Sequence, residues 1–176
     1  MKNFTLNEWI DWQCTLHSTN MDFNLSRIKE VARRLNVHKT VAKVFTVAGT
    51  NGKGSTVAIL ESVLLESGYN VGSYTSPHLI EFNERIKINK ISADTEEICK
   101  AFELIEENRK DTTLTFFEFS TLAALIIFSQ KNLDVIILEV GLGGRLDAVN
   151  IIDPDVSIIT SIGYDHTAIL GDDLEL

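Results

Sequence analysis

A lysine set between two glycines, with two hydroxyls behind it, is a group of residues suited to holding phosphate. In the stretch VFTVAGTNGKGSTVAILESVLL, from Val44 to Leu65, the group comprises Gly49, Thr50, Asn51, Gly52, Lys53, Gly54, Ser55 and Thr56. An apolar, strand-like run precedes it and a helix-like run follows. At such a turn, backbone N–H groups and the positive end of the helix dipole face an anion. Glycine lets the backbone come close and take left-handed angles. The lysine adds a point charge on the outer phosphate oxygens, and a hydroxyl commonly reaches a metal. The pattern G-x-x-x-x-G-K-[ST] is broken in two places: Val47 stands at the first glycine and Gly54 at the hydroxyl. Taken alone, the segment also suits an ordinary glycine-rich strand-to-helix turn.

Other residues have types and positions that could do chemistry. Glu139 is an acid inside the apolar run VIILEV. A lone buried carboxylate is costly, so it belongs at a strand end or beside a partner. That partner is a Mg²⁺ ion, Arg145, or the end of a neighbouring helix. His166 follows an apolar run and Asp165; a lone histidine is either structural or a ligand that Asp165 orients. Ser76 lies between Thr75 and Pro77, as a turn residue or a ligand. Gly141, Gly143 and Gly144 precede Arg145 and form either a tight turn or a place of close approach. Phe116 and Phe117 could stack on a flat heterocycle or fill the core. His17, His38 and His78 lack metal-like spacing and read as surface or loop residues.

Three runs rich in β-branched residues would position these groups: Val44 to Ala48, Val135 to Val140 and Val156 to Ile162. Each is nearly all apolar, as in strands covered on both faces. Helical spacing is found over Leu25 to Leu35, Ser55 to Ser67, Thr95 to Arg109 and Phe116 to Gln130, the last apolar enough to be buried. Strands alternating with helices indicate a doubly wound, mostly parallel α/β sheet.

The chain has 176 residues, 44% of them apolar, and a formal net charge of -9. It can bury a core. Its charge disfavours general nucleic-acid or membrane-surface binding, though not a phosphate in a locally positive pocket. The start, MKNFTLNEWIDWQ, is too polar for a signal peptide. Cys14 and Cys99 lie far apart, which fits a reduced, cytoplasmic setting.

The loop G-T-N-G-K-G-S resembles that of the Mur ligase superfamily, specifically the folylpolyglutamate synthases. Four further blocks continue the resemblance in order: YTSPHL with NERI (Tyr74 to Leu79, Asn83 to Ile86), LTFFEF (Leu114 to Phe119), LEVGLGGRLDAVN (Leu138 to Asn150) and TSIGYDHTAILG (Thr160 to Gly171). Together they cover nearly all of the chain from Phe45 onward and are similar to the bacterial bifunctional dihydrofolate synthase/folylpolyglutamate synthase family.

That resemblance implies an ATP- and Mg²⁺-dependent ligase joining L-glutamate to dihydropteroate and to folates through an acyl phosphate. It implies that residues 49–56 bind ATP and that Ser76, Glu139 and His166 hold a pair of Mg²⁺ ions. Lys53, Glu139 and His166 would be catalytic. Dihydropteroate would meet Asp22, Phe23, Asn24, Thr115, Phe116, Phe117, Glu118, Leu146, Asp147 and Ala148. Residues 1–176 would form an ATP-binding domain of Mur ligase type, incomplete at its C-terminal end and without the family's second domain. Such a fragment would be inactive alone and prone to self-association, whereas full-length members are monomeric. The rivals are another Mur-type amino-acid ligase, a P-loop small-molecule kinase, and a nucleotide-binding module without catalysis.

Overall fold

The computed structural model describes residues 2, 4–19 and 22–172. The chain's closing residues 173–176 lie outside them. Six strands form one sheet: β1 (Lys43–Ala48), β2 (Val71–Tyr74), β3 (Ile86–Ile88), β4 (Ile91–Ser92), β5 (Val135–Glu139) and β6 (Val156–Ile159). Their order is β4-β3-β2-β5-β1-β6. Strands β2, β5, β1 and β6 are parallel, while β3 and β4 add an antiparallel hairpin. The helices are α1 (Leu6–Gln13), α2 (Ser26–Arg34), α3 (Lys53–Glu66), α4 (Thr95–Arg109), α5 (Phe116–Ser129) and α6 (Thr167–Leu170). No helix among the described residues is long and apolar enough to cross a membrane.

Alternation along β5 explains the two-sided packing. Val135 and Ile137 join Val47, Val71 and Val57 of α3 in one apolar cluster. Ile136 and Leu138 face the other way, into the larger cluster that includes residues of α1, α2, α4 and α5. Helix α5 is apolar on all sides, and it is buried from Glu118 to Phe128, as such a composition requires. Its start is fixed by a capping box: Thr115 accepts the Glu118 N–H, and the Glu118 carboxylate accepts the Thr115 N–H at 2.8 Å. This arrangement satisfies two otherwise orphaned donors.

One expectation needs correction. The run from Val156 to Ile162 is not a strand covered on both faces. Only Val156–Ile159 pairs with β1, Ser161 makes an isolated bridge to Asn51, β6 ends the strand order, and Ile159 is 68% exposed. His17 and His78 lie in loops, as expected. His17 Nε2 lies 3.4 Å from Asp22 Oδ2, and His78 Nδ1 accepts a bond from Arg85 Nε at 2.7 Å.

Phe119 is fully buried and its ring meets Trp9, Trp12 and Phe102. Phe119→Ala should lower the unfolding free energy by about 3–5 kcal/mol through lost contacts and a residual cavity. Leu104→Ala, on the exposed side of α4, should change it by about 0.5 kcal/mol or less. Urea unfolding of both variants checks this; equal losses would place the core elsewhere.

Candidate active site

Strands β1 and β5 are parallel neighbours, so their carboxyl ends lie side by side. Ligands bind at that edge in open α/β sheets. From β1 the chain turns through Gly49–Gly52 into α3. Gly49 has φ 129°, and a Cβ there would lie 2.0 Å from Thr160 Oγ1, so the position excludes a side chain. Gly52, at φ 88°, opens the helix in a left-handed conformation.

The chain beyond β6 braces this turn. The Thr50 N–H donates to the Ser161 carbonyl at 2.7 Å, and the Gly163 N–H donates to Thr50 Oγ1 at 3.0 Å. The Ser161 hydroxyl donates to the Asn51 carbonyl at 3.2 Å. Lys53 Nζ is folded over the loop, donating to the carbonyls of Gly49 and Thr50 at 2.8 and 3.2 Å. Gly49, Thr50 and Lys53 line a depression of about 160 Å³, closed opposite by Gly141–Gly143 and His166. Asn51, Gly52, Ser55 and Thr56 lie outside that wall, where the Thr56 hydroxyl donates to the Gly52 carbonyl at 2.9 Å.

Glu139 is the last residue of β5 and is only 4% exposed. It forms no ion pair among the described residues, with Arg145 or any other, and its Oε2 accepts the Ser76 N–H at 3.0 Å. Gly54 faces it: a Cβ there would stand 3.8 Å from Oε1. Burial pushes the Glu139 pKa up, opposed by the Ser76 N–H and the Lys53 ammonium. A buried carboxylate without a counter-ion, beside a serine and the start of a glycine loop, fits a hard divalent cation. Among the described residues, no group of three or more His, Cys, Asp and Glu side chains could hold a metal. A cation here would therefore draw its other ligands from hydroxyls, phosphate oxygens and water. His166 lies further along, in a left-handed conformation, with its N–H bonded to Asp165 Oδ1 at 2.8 Å. Asp165 thus contacts the His166 backbone, while its carboxylate lies 3.9 Å from the ring's Nε2.

A second cavity, about 410 Å³ in volume, opens beside the depression. Thr115, Phe116, Phe117 and Glu118 contribute one wall, and Leu146, Asp147 and Ala148 another. Asp22 and Phe23 also line it. Asn24 does not; its Oδ1 accepts the Ser26 N–H at 2.9 Å and starts α2. Gly141 lets the walls approach, since a Cβ there would lie 2.6 Å from the Phe117 ring. Phe117 leans on Tyr74 with centroids 5.9 Å apart, and Phe116 meets Phe82 edge-on at 6.0 Å. Both rings therefore belong to the core and to the wall.

The cavity's acids are mostly engaged. Arg27, which the sequence reading passed over as part of a basic helix, bonds both Glu118 oxygens at 3.1 Å and pairs with Asp22. Asp147 Oδ2 accepts the N–H groups of Gly141 and Leu142, each at 3.0 Å, and Oδ1 accepts that of Val149 at 3.1 Å. Desolvation outweighs these bonds and raises the Asp147 pKa from 3.8 to about 6. Arg85 was missed too; an arginine at the head of the apolar segment RIKI was the available signal.

A glycine loop leaving a central parallel strand for a helix, with a buried acid ending the next strand, defines a P-loop-type α/β domain. The chain belongs to the Mur ligase family: residues 47–175 match the Mur ligase middle domain. It is 54% identical over 172 residues to the dihydrofolate synthase/folylpolyglutamate synthase of Buchnera aphidicola, covering 98% of this chain and 42% of that protein. The fold is similar to that of E. coli FolC in complex with DHPP and ADP: the TM-score is 0.95 and the identity 50%, covering 97% of this chain and 41% of that one. It is also similar to the bifunctional enzyme of Yersinia pestis complexed with AMPPNP and a Mn ion. There the TM-score is 0.91 and the identity 51%, covering 97% and 42%. The chain thus spans about two fifths of the length of the relatives it matches.

Asp147 makes stability pH-dependent in a definite direction. In the unfolded chain it ionises near 3.8, in the fold only near about 6. Between those values the folded state holds a proton that the unfolded state has released. The contribution is therefore fully present below about 4 and is lost as pH rises through about 6, amounting to roughly 3 kcal/mol. Urea unfolding of wild type and Asp147→Asn from pH 4 to 7 should show wild type losing about that much relative to the variant. Parallel curves would remove the assignment.

Proposed function

We propose that this chain is the nucleotide- and pteroate-binding part of a cytoplasmic, ATP-dependent ligase that joins L-glutamate to dihydropteroate and to folates. One observation carries the reading. The phosphate-sized depression and the aromatic cavity share Gly141, Leu142 and His166. A flat heterocycle in the cavity can therefore point a carboxylate toward a nucleotide's terminal phosphate. The ligands named for the similar E. coli and Yersinia structures support it.

In the proposed first step, a carboxylate oxygen of the pteroate forms a bond to the γ-phosphorus. The bond to the β,γ-bridging oxygen breaks, and ADP leaves with the electron pair. The amine of glutamate then attacks the acyl carbon, losing a proton as phosphate departs. The chain's own work is placement and charge. Backbone N–H groups at the start of α3 hold the phosphates and Lys53 offsets their charge. Phe117 and Phe116 seat the ring system, and Thr115, Asp147 and Ala148 define its end of the cavity. Ser76, Glu139 and His166 would hold Mg²⁺ at a pair of sites, which supplies further charge compensation when bound. The second domain, and the remaining glutamate contacts, belong to the complete ligase, whose relatives are more than twice as long as this chain.

The complete ligase should release ADP only when both dihydropteroate and glutamate are present, with dihydrofolate as product. Lys53→Ala should reduce that turnover by about 10³-fold or more, as for loss of a charge that acts on the transferring phosphoryl group. Lys53→Arg should restore only part, because a planar fork is not a point charge. ADP release that is indifferent to glutamate would point to a kinase or ATPase, and full turnover in Lys53→Ala would overturn the loop assignment.

A further inference from the structure

Arg85 has no place in the machinery described so far. Its side chain lines the aromatic cavity and is only 7% exposed. A buried guanidinium ordinarily has a carboxylate beside it, because removing the charge from water is expensive. Arg85 forms no ion pair among the described residues. Its Nε donates to His78 Nδ1 at 2.7 Å, and its Cζ lies 5.2 Å from the Phe116 ring centroid and 5.7 Å from that of Phe82. The buried Tyr74 hydroxyl is its other polar neighbour. These contacts fix the plane of the guanidinium but leave its charge without a counter-ion.

The cavity's carboxylates have partners within the chain. Arg27 engages Asp22 and Glu118, and three backbone N–H groups engage Asp147. Among the described residues Arg85 is thus the one arginine or lysine on this wall, and it has no ion-pair partner. It also stands at a particular end. The Arg85 carbonyl accepts the Thr75 N–H at 2.9 Å, which places its backbone beside Ser76, at the side toward Glu139.

We infer that Arg85 binds the carboxylate of the substrate in this cavity and presents it to the phosphate depression. The inference rests on the pteroate reading above and adds a residue that fixes the reacting group. One oxygen of the substrate carboxylate accepts from the Arg85 guanidinium, which leaves the other free to attack phosphorus. His78 positions the guanidinium from outside the cavity, while Phe116 packs against it and lines the same cavity.

The test changes the ligand as well as the protein. Dihydropteroate and its carboxamide are titrated into the full chain and into Arg85→Met and Arg85→Lys, with melting curves confirming that each is folded. Wild type should bind the acid about 10- to 100-fold more tightly than the amide, the range for a charge-assisted hydrogen bond in a buried site. Arg85→Met should erase that preference while binding the amide as wild type does, and Arg85→Lys should keep part of it. An acid-to-amide preference that survives in Arg85→Met would overturn the inference. So would equal weakening of both ligands, which is the mark of a packing role. If Arg85→Met does not fold, equal binding of acid and amide by wild type would overturn it alone. Failure of wild type to bind either ligand while still binding Mg²⁺ and ATP would instead overturn the pteroate reading on which it rests.

Discussion

The energetic problem around which this site is built is a carboxylate that the fold buries without a counter-ion. Glu139 ends the central strand β5, where both neighbours, β1 and β2, are parallel to it. The strand register puts Val47, the last but one residue of β1, opposite Glu139, so the glycine loop begins next to the acid. On the other side, the chain leaving β2 brings Ser76, whose N–H is the one hydrogen bond Glu139 accepts among the described residues. Desolvation of a group so placed favours its neutral form. A cation at the strand ends reverses that preference, and the loop, the serine and the acid converge where such a cation would meet phosphate.

The same edge handles its other buried charges differently. Arg27 joins Asp22 to Glu118 and so ties the segment before α2 to the start of α5. Asp147 gathers three backbone N–H groups from the turn after β5 and the start of the short helix Ala148–Ile151. These groups shape the cavity, and their charges meet ion-pair or multiple hydrogen-bond partners within the chain, although Arg27 Nε has none. Glu139 and Arg85 each have a hydrogen bond but no ion pair among the described residues. The contrast separates residues that hold the walls from residues whose charge is directed at what lies between them.

Much of this was legible in the sequence, for reasons that can be stated. Helix α4 occupies Thr95–Arg109 as read, because its apolar spacing is regular and Asp94 caps it. The loop residues were readable because glycine, lysine and hydroxyls have few other reasons to stand together. Strand β2 was not readable: VGSY is short and half polar, yet all four residues are buried. It belongs to the sheet because Gly72 lets Phe128 and Leu133 close in, where a Cβ would lie within 3.0 Å of both. The hairpin β3–β4 was hidden as well, since its turn uses Asn89 and Lys90 at positive φ rather than glycine. Arg27 and Arg85 lack a local pattern. Glu118 lies far along the chain from Arg27, and the nearer partners, Asp22 for Arg27 and His78 for Arg85, sit in irregular loops that carry no periodic signal.

The central claim is that the Glu139 charge is reserved for a metal-bound nucleotide and is not part of the chain's own scaffold. The direct measurement is the melting temperature of wild type and Glu139→Gln, each with and without Mg²⁺ and ATP together. The account predicts that the variant alone melts at or above the wild-type temperature, because an uncompensated buried acid has been removed. It also predicts that wild type is stabilised by Mg²⁺ with ATP while the variant gains little. A variant that melts far lower on its own, yet keeps the full stabilisation by Mg²⁺ and ATP, would contradict it.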